Sequence, residues 1–213
     1  MLTSLVLLER STRNENDVLY ELLVLALLMR WPLHAYFIAD ITNSIIGPWE
    51  KISRGSLSGL LAKLESRGMI EPGDPAQVPF PPTRSARVFA ITAAGRKRFF
   101  QLMMDTTSNP GNYQRIFRLK ALHLEFLPLK DQLFLVDHYL YYCQTAAHYM
   151  REEAEDMRGS DMKHETSSEW LTMTALTLMA TAQEQWELER EWAQQLRERI
   201  IAAQISGETT TLS

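Results

Sequence analysis

The sequence predicts a mainly α protein, with a winged helix-turn-helix domain followed by an all-α C-terminal dimerisation domain. Three observations carry that prediction. Apolar residues recur at helical spacing in three short segments before residue 67, and an alternating stretch beside a proline-rich loop reads as a hairpin. Further on, an unbroken three-four apolar repeat runs from Leu133 to Met157. The chain has 213 residues, room for two small domains, and 46% hydrophobic with 23% charged residues is the balance of a folded globular protein.

The elements follow in order. "DVLYELLVLALLMR" (17–30) opens on Asp17 as a cap and is apolar nearly all round, which marks a buried first helix ended by Trp31-Pro32. In "PLHAYFIADITNSI", Leu33, Phe37, Ile41 and Ile45 stand four apart and Pro32 suits a first turn, so a second helix is expected from there. "GPWEK" is a turn; the third helix takes Ser53 as N-cap and stops at Gly68. "MIEP" and "RVFAI" are the strands of a hairpin with a long tip, and Thr92 caps a fourth helix, "AAGRKRFFQLMM". "DTTSNPGN" (105–112) has the composition of a linker. Beyond it, helices are expected over 113–127, about 130–157 and about 168–203, with a frayed tail. The chain thus reads as an N-terminal arm (1–16), a winged-helix domain (17–105) and a helical domain (113–205).

Charge distribution sharpens this. The formal net charge is -4, yet residues 49–100 hold nine Lys/Arg against four Asp/Glu. Positive charge concentrated on one domain of an acidic chain is expected of a surface that meets a polyanion. The longest apolar run, Leu22 to Met29, has eight residues, whereas a membrane-spanning helix needs about 20. Neither a membrane span nor a secretory leader is expected. The single cysteine, Cys143, can form no intramolecular disulfide, which argues for a reducing, cytoplasmic setting.

In the α-α-α-β-β-α order, helix three is the one that enters the major groove of double-stranded DNA. Its leucines 57, 60, 61 and 64 form one stripe for the core, while the opposite face carries Gly55, Gly59, Ala62 and Ser66, flanked by Ser56, Ser58 and Lys63. A plain surface helix would also tolerate these residues, but small groups let a groove wall approach closely. Ser53, Ser56 and Ser58 add hydroxyl donors for phosphate at the helix N-terminus. The candidate contacts are therefore His34, Tyr36, Ser53, Arg54, Ser56, Ser58 and Lys63, with Arg84 and Arg87 on the hairpin. His34 is equally readable as a local cap, and the two hairpin arginines as solvated charges. "GRKR" (95–98) is expected to face solvent or the first helix.

These segments resemble the PadR family of bacterial winged-helix transcription regulators. Pro32, Leu33, His34 and Tyr36 match its "PLHGY" motif, with Ala35 in the glycine position. Ser53, Gly55, Leu57, Leu60, Leu61, Leu64 and Glu65 match "SPGTLYPLLRRLE", and Thr92, Ala94, Gly95 and Arg96 match "YxLTxAGR". The resemblance covers residues 17–100 and implies an operator-binding homodimer. Arg54, Ser58 and Gly59 stand where the family has proline, tyrosine and proline, so the grip on DNA is expected to shift toward Arg54, Lys63 and the wing.

The second half is similar to the long helical domain of the virulence-activator subgroup, which implies dimerisation. Independently, the seam of Leu133, Val136, Leu140, Cys143, Ala147 and Met150 needs a partner surface, either the last helix of the same chain or another subunit. Tyr139, Tyr141, Tyr142, Tyr149, Trp170, Trp186 and Trp192 are readable as core or as the lining of a site for a small aromatic effector of the kind some relatives sense. The five histidines show no H-x-x-x-H or H-E-x-x-H spacing, and neither a nucleophile motif nor a phosphate-binding glycine loop occurs. No metal, cofactor or enzymatic activity is expected.

Overall fold

The computed structural model describes residues 18–47, 50–79, 87–159 and 168–211, with side chains as far as residue 205. Asp17, the arm over 1–16 and Arg84 lie outside the described residues. The chain forms two compact units that divide after Leu124.

The first unit is a winged helix-turn-helix. Helix α1 (18–30) is its centre, with every residue from Leu22 to Leu28 buried. A helix enclosed on all sides needs no polar face, which is why the periodicity there is weak. Strand β1 (Leu33–His34) follows, then α2 (Ala35–Ile46) and α3 (Arg54–Ser66). Strand β2 (Ile70–Pro72), strand β3 (Val88–Ile91) and α4 (Ala93–Met104) complete the wing and its support. The sheet is antiparallel in the order β1-β3-β2, with Leu33 opposite Phe89 and Ile70 opposite Ile91.

Strand β1 corrects the expected start of the second helix. Leu33 and His34 are extended because they supply the second edge of β3, and α2 begins only at Ala35. His34 is the N-cap residue by position, but its side chain makes no capping hydrogen bond. The four-residue periodicity spoke for helix at Leu33; ladder pairing with a strand more than fifty residues away overrides it.

Helix α3 ends in a Schellman turn. Gly68 adopts φ +67, its N–H donates to Glu65 O (2.9 Å), and Met69 N–H donates to Leu64 O (2.9 Å). Thr92 caps α4 by accepting from Gly95 N–H (3.1 Å), while its hydroxyl donates to Gly68 O (2.6 Å). A Cβ at Gly95 would stand 2.1 Å from Met69 O, so only glycine permits α4 to meet the α3–β2 turn this closely. One threonine and one glycine thus fix the end of α3 against the start of α4.

Helix α5 (Tyr113–Ala121) buries Tyr113, Phe117, Leu119 and Lys120 in this first unit. The division therefore falls after Leu124, and not at the polar 105–112 segment. That segment is a structured turn in which the Asp105 carboxylate accepts from the N–H groups of Thr107 (3.1 Å) and Ser108 (3.0 Å). The helix expected to reach residue 127 also stops at Ala121, and a 3-10 turn spans Leu124–Phe126.

In the second unit α6 (Leu129–Gly159) packs along α7 (Glu169–Thr211). Asp137 meets Arg197 (2.7 Å), Tyr139 meets Glu189 and Trp192, and Tyr142 meets Trp186 edge-on, so the two run antiparallel. Helix α7 continues past the expected end near 203, since no proline intervenes and a lone Gly207 costs only about 1 kcal/mol. None of the helices searched among the described residues is long and apolar enough to cross a membrane.

Candidate nucleic-acid interface

Helix α3 is positioned from three sides. Leu57, Leu61 and Leu64 are buried and Leu60 half-buried, so the stripe lies where its spacing put it. Asn43, in the last turn of α2, grips the segment leading into α3: Ile52 N–H donates to its Oδ1 (2.8 Å), and its Nδ2 donates to Ile52 O (3.5 Å). Between α2 and α3, Glu50 accepts from the Tyr20 hydroxyl of α1 (2.7 Å) and pairs with Arg115 of α5. Burial and the bond to Glu50 push the Tyr20 hydroxyl up to about 12, so it remains a donor at any ordinary pH. Asn43 and Glu50 escaped sequence reading because each acts on a residue brought near only by the fold.

The N-terminus of α3 is capped as expected. Ser56 N–H donates to Ser53 Oγ (3.0 Å), and the two hydroxyls lie 2.9 Å apart. Arg54, Gly55, Ser56, Ser58, Gly59, Ala62, Lys63 and Ser66 are all exposed. A Cβ at Gly59 would meet nothing within 4 Å, and one at Gly55 only Ser53 Oγ at 3.9 Å. The fold itself does not require glycine at either position. The clearance is thus a property of the outward surface. Arg54 opens α3 and Lys63 stands near its other end, roughly 14 Å further along the helix axis, and neither forms an ion pair with a described residue.

At the C-terminal end the wing joins this surface. Arg87, just before β3, pairs with Glu65 of α3, and its guanidinium lies 5.0 Å from the Phe89 ring centre. Its side chain is still 55% exposed, so the pair holds the arginine against α3 without withdrawing it from solvent. Glu65 had no sequence signal for this role, since its partner is 22 residues away.

His34 and Tyr36 differ from the rest. His34 is 2% exposed and stacks 5.5 Å from Tyr36, so burial removes its ring from a surface that meets phosphate. Tyr36 is 37% exposed and packs on Phe37 with ring centres 4.3 Å apart. As expected of "GRKR", Arg98 turns to α1, where Nε donates to Glu21 Oε1 (2.8 Å). Of the expected contacts, Ser53, Arg54, Ser56, Ser58, Lys63 and Arg87 are exposed on α3 and at the start of β3, with Tyr36 apart from them at the start of α2.

The seam expected along α6 is largely covered within the chain. Val136 and Cys143 are fully buried, Leu133, Leu140, Ala147 and Met150 half-buried, along the helix that packs on α7 of the same chain. Tyr139 is enclosed there too; burial, then its bond to Glu189, drives its hydroxyl well above the usual phenol range. What α6 and α7 leave open is a different set: Phe134, Tyr141, Tyr149, Trp170, Leu178 and Leu188 are all exposed.

No protein-family model and no curated protein sequence matches the chain. Solved structures of PadR-family regulators match over about 85% of it at low identity. Bacillus subtilis PadR in complex with operator DNA is 18% identical, covering 84% of this chain and 98% of its own, with a TM-score of 0.36. The same protein in complex with p-coumaric acid is 16% identical over 86% of this chain and 96% of its own, TM-score 0.36. The Vibrio cholerae virulence activator AphA is 14% identical over 86% of this chain and 99% of its own, TM-score 0.35.

Proposed function

We propose that this protein is a PadR-like transcription regulator that binds palindromic operator DNA as a homodimer in the bacterial cytoplasm, without enzymatic activity. The observation that carries the proposal is the outward face of α3, which is cleared of bulk although the fold leaves room for it and is bounded by Arg54, Lys63 and Arg87. A helix presenting small residues and a cation near each end suits a major groove between two phosphate rows. Two half-sites one turn apart, about 34 Å, call for two such helices related by a two-fold axis.

The exposed apolar side chains of α6 and α7 support association of two copies, because isolated chains rarely leave so many uncovered. A small aromatic effector, the class of compound named with one of the similar structures, belongs to the same proposal. A mobility-shift assay on DNA upstream of the protein's own gene tests the reading. Wild type is expected to shift a discrete fragment at moderate salt. Absence of any shift, with or without phenolic acids, leaves instead a helical interaction module whose winged helix makes no DNA contact.

A further inference from the structure

The winged-helix unit also holds a cavity of about 290 Å3 between the start of α1, the end of α4 and α5. Its apolar wall is aliphatic, formed by Leu19, Leu22, Leu102 and Ile116; Lys120, Asp105 and Tyr113 stand among its polar lining. Lys120 is 1% exposed. Its ammonium donates to the backbone oxygen of Asp105 and lies 5.6 Å from the Tyr113 ring centre. An ammonium has three donors, and a buried one is costly unless its charge is answered. The Asp105 carboxylate shares the lining and opposes the cost of burying that charge, while its Oδ1 accepts from two backbone N–H groups of its own turn.

The geometry points to a binding site for a small monoanion with an aliphatic body, an alkyl carboxylate. The hydrocarbon chain lies along the leucine and isoleucine wall, and the carboxylate takes the remaining donors of Lys120. Since a dry cavity of about 150 Å3 accommodates benzene, this one has room for a chain of roughly eight carbons. The charged and titratable groups facing Lys120 are Asp105 from the end of α4 and Tyr113 from α5; α1 contributes only Val18, Leu19 and Leu22 to the lining. Burial lowers the Lys120 ammonium to about 8, with the charge of Asp105 opposing. The Lys120 ammonium is therefore charged at pH 7, beside the ionised Asp105 carboxylate, and loses its charge above pH 8.

Isothermal titration of the full chain at pH 7 with octanoate, octan-1-ol and octylamine tests this independently of DNA binding. One octanoate is expected per chain, at least tenfold tighter than octan-1-ol and weakening several-fold between pH 7 and pH 9. Lys120→Met is expected to bring octanoate down to the octan-1-ol level, and Val18→Trp, at the exposed start of α1, to weaken both. If octanoate binds no tighter than octan-1-ol, if octylamine is preferred, or if octanoate keeps its affinity in either variant, the assignment is overturned. Should Lys120→Met not fold, Val18→Trp alone decides, since unchanged octanoate binding there rejects the cavity.

Discussion

Among single residues, Gly59 separates what the fold needs from what the surface is for. Nothing lies within 4 Å of a Cβ there, so Gly59→Ala should stabilise the chain by up to about 1 kcal/mol in urea unfolding. Gly59→Leu should also leave the fold intact, yet weaken operator binding at least tenfold in the mobility-shift assay. Equal DNA affinity in Gly59→Leu would mean that this face does not meet the groove. Gly95 is the converse. Its Cβ would collide with Met69 O, so Gly95→Ala should cost about 1 to 3 kcal/mol. Both glycines were visible in the sequence, but only the packing around each tells them apart. Lys120 adds a pH signature. Its folded pKa is about 8 against 10.5 unfolded, so the unfolded chain holds the extra proton between those values and stability rises with pH across that window. Lys120→Met should accordingly gain about 1 to 3 kcal/mol at pH 7, a gain that shrinks as the pH approaches 10.5.

At the scale of elements, the leucine stripe, Ser53, Thr92 and Gly68 made α3, α4 and the turn between α3 and β2 legible, because caps and periodicity are local chemistry. Strand β1 was not legible. Its two residues gain their conformation from β3, and their own spacing argued for helix. The assignment of α5 to the first unit was hidden for a similar reason, since the polar turn before it looks like a linker until Asp105 is seen to fold it. The site itself was half legible. Exposed α3 residues could be named from angular position, whereas the burial of His34 and the pairing of Arg87 with Glu65 depend on contacts across the sheet. That ion pair sets a further prediction. Glu65→Gln releases Arg87 and removes a negative charge from α3, so DNA should bind several-fold tighter, with one more phosphate contact in the salt dependence.

For the whole molecule, the heptad-like seam of α6 was read as a surface needing either the last helix of the same chain or another subunit, and α6 does meet that last helix through Asp137, Tyr139 and Tyr142. The proposed association of two copies draws on the exposed apolar residues of α6 and α7. Tyr141 and Leu178 are 70% and 65% exposed, and a Tyr141→Glu, Leu178→Glu variant should sediment as a monomer while keeping its helical circular dichroism. The central claim, that the α3 face with Arg54 and Lys63 grips phosphate-lined DNA, is tested most directly by operator affinity against salt. Each lysine or arginine neutralising one phosphate contributes about -0.9 to the slope of log K against log salt. Arg54→Ala and Lys63→Ala should each weaken binding and flatten the slope by about one. Slopes and affinities identical to wild type in both variants would contradict it.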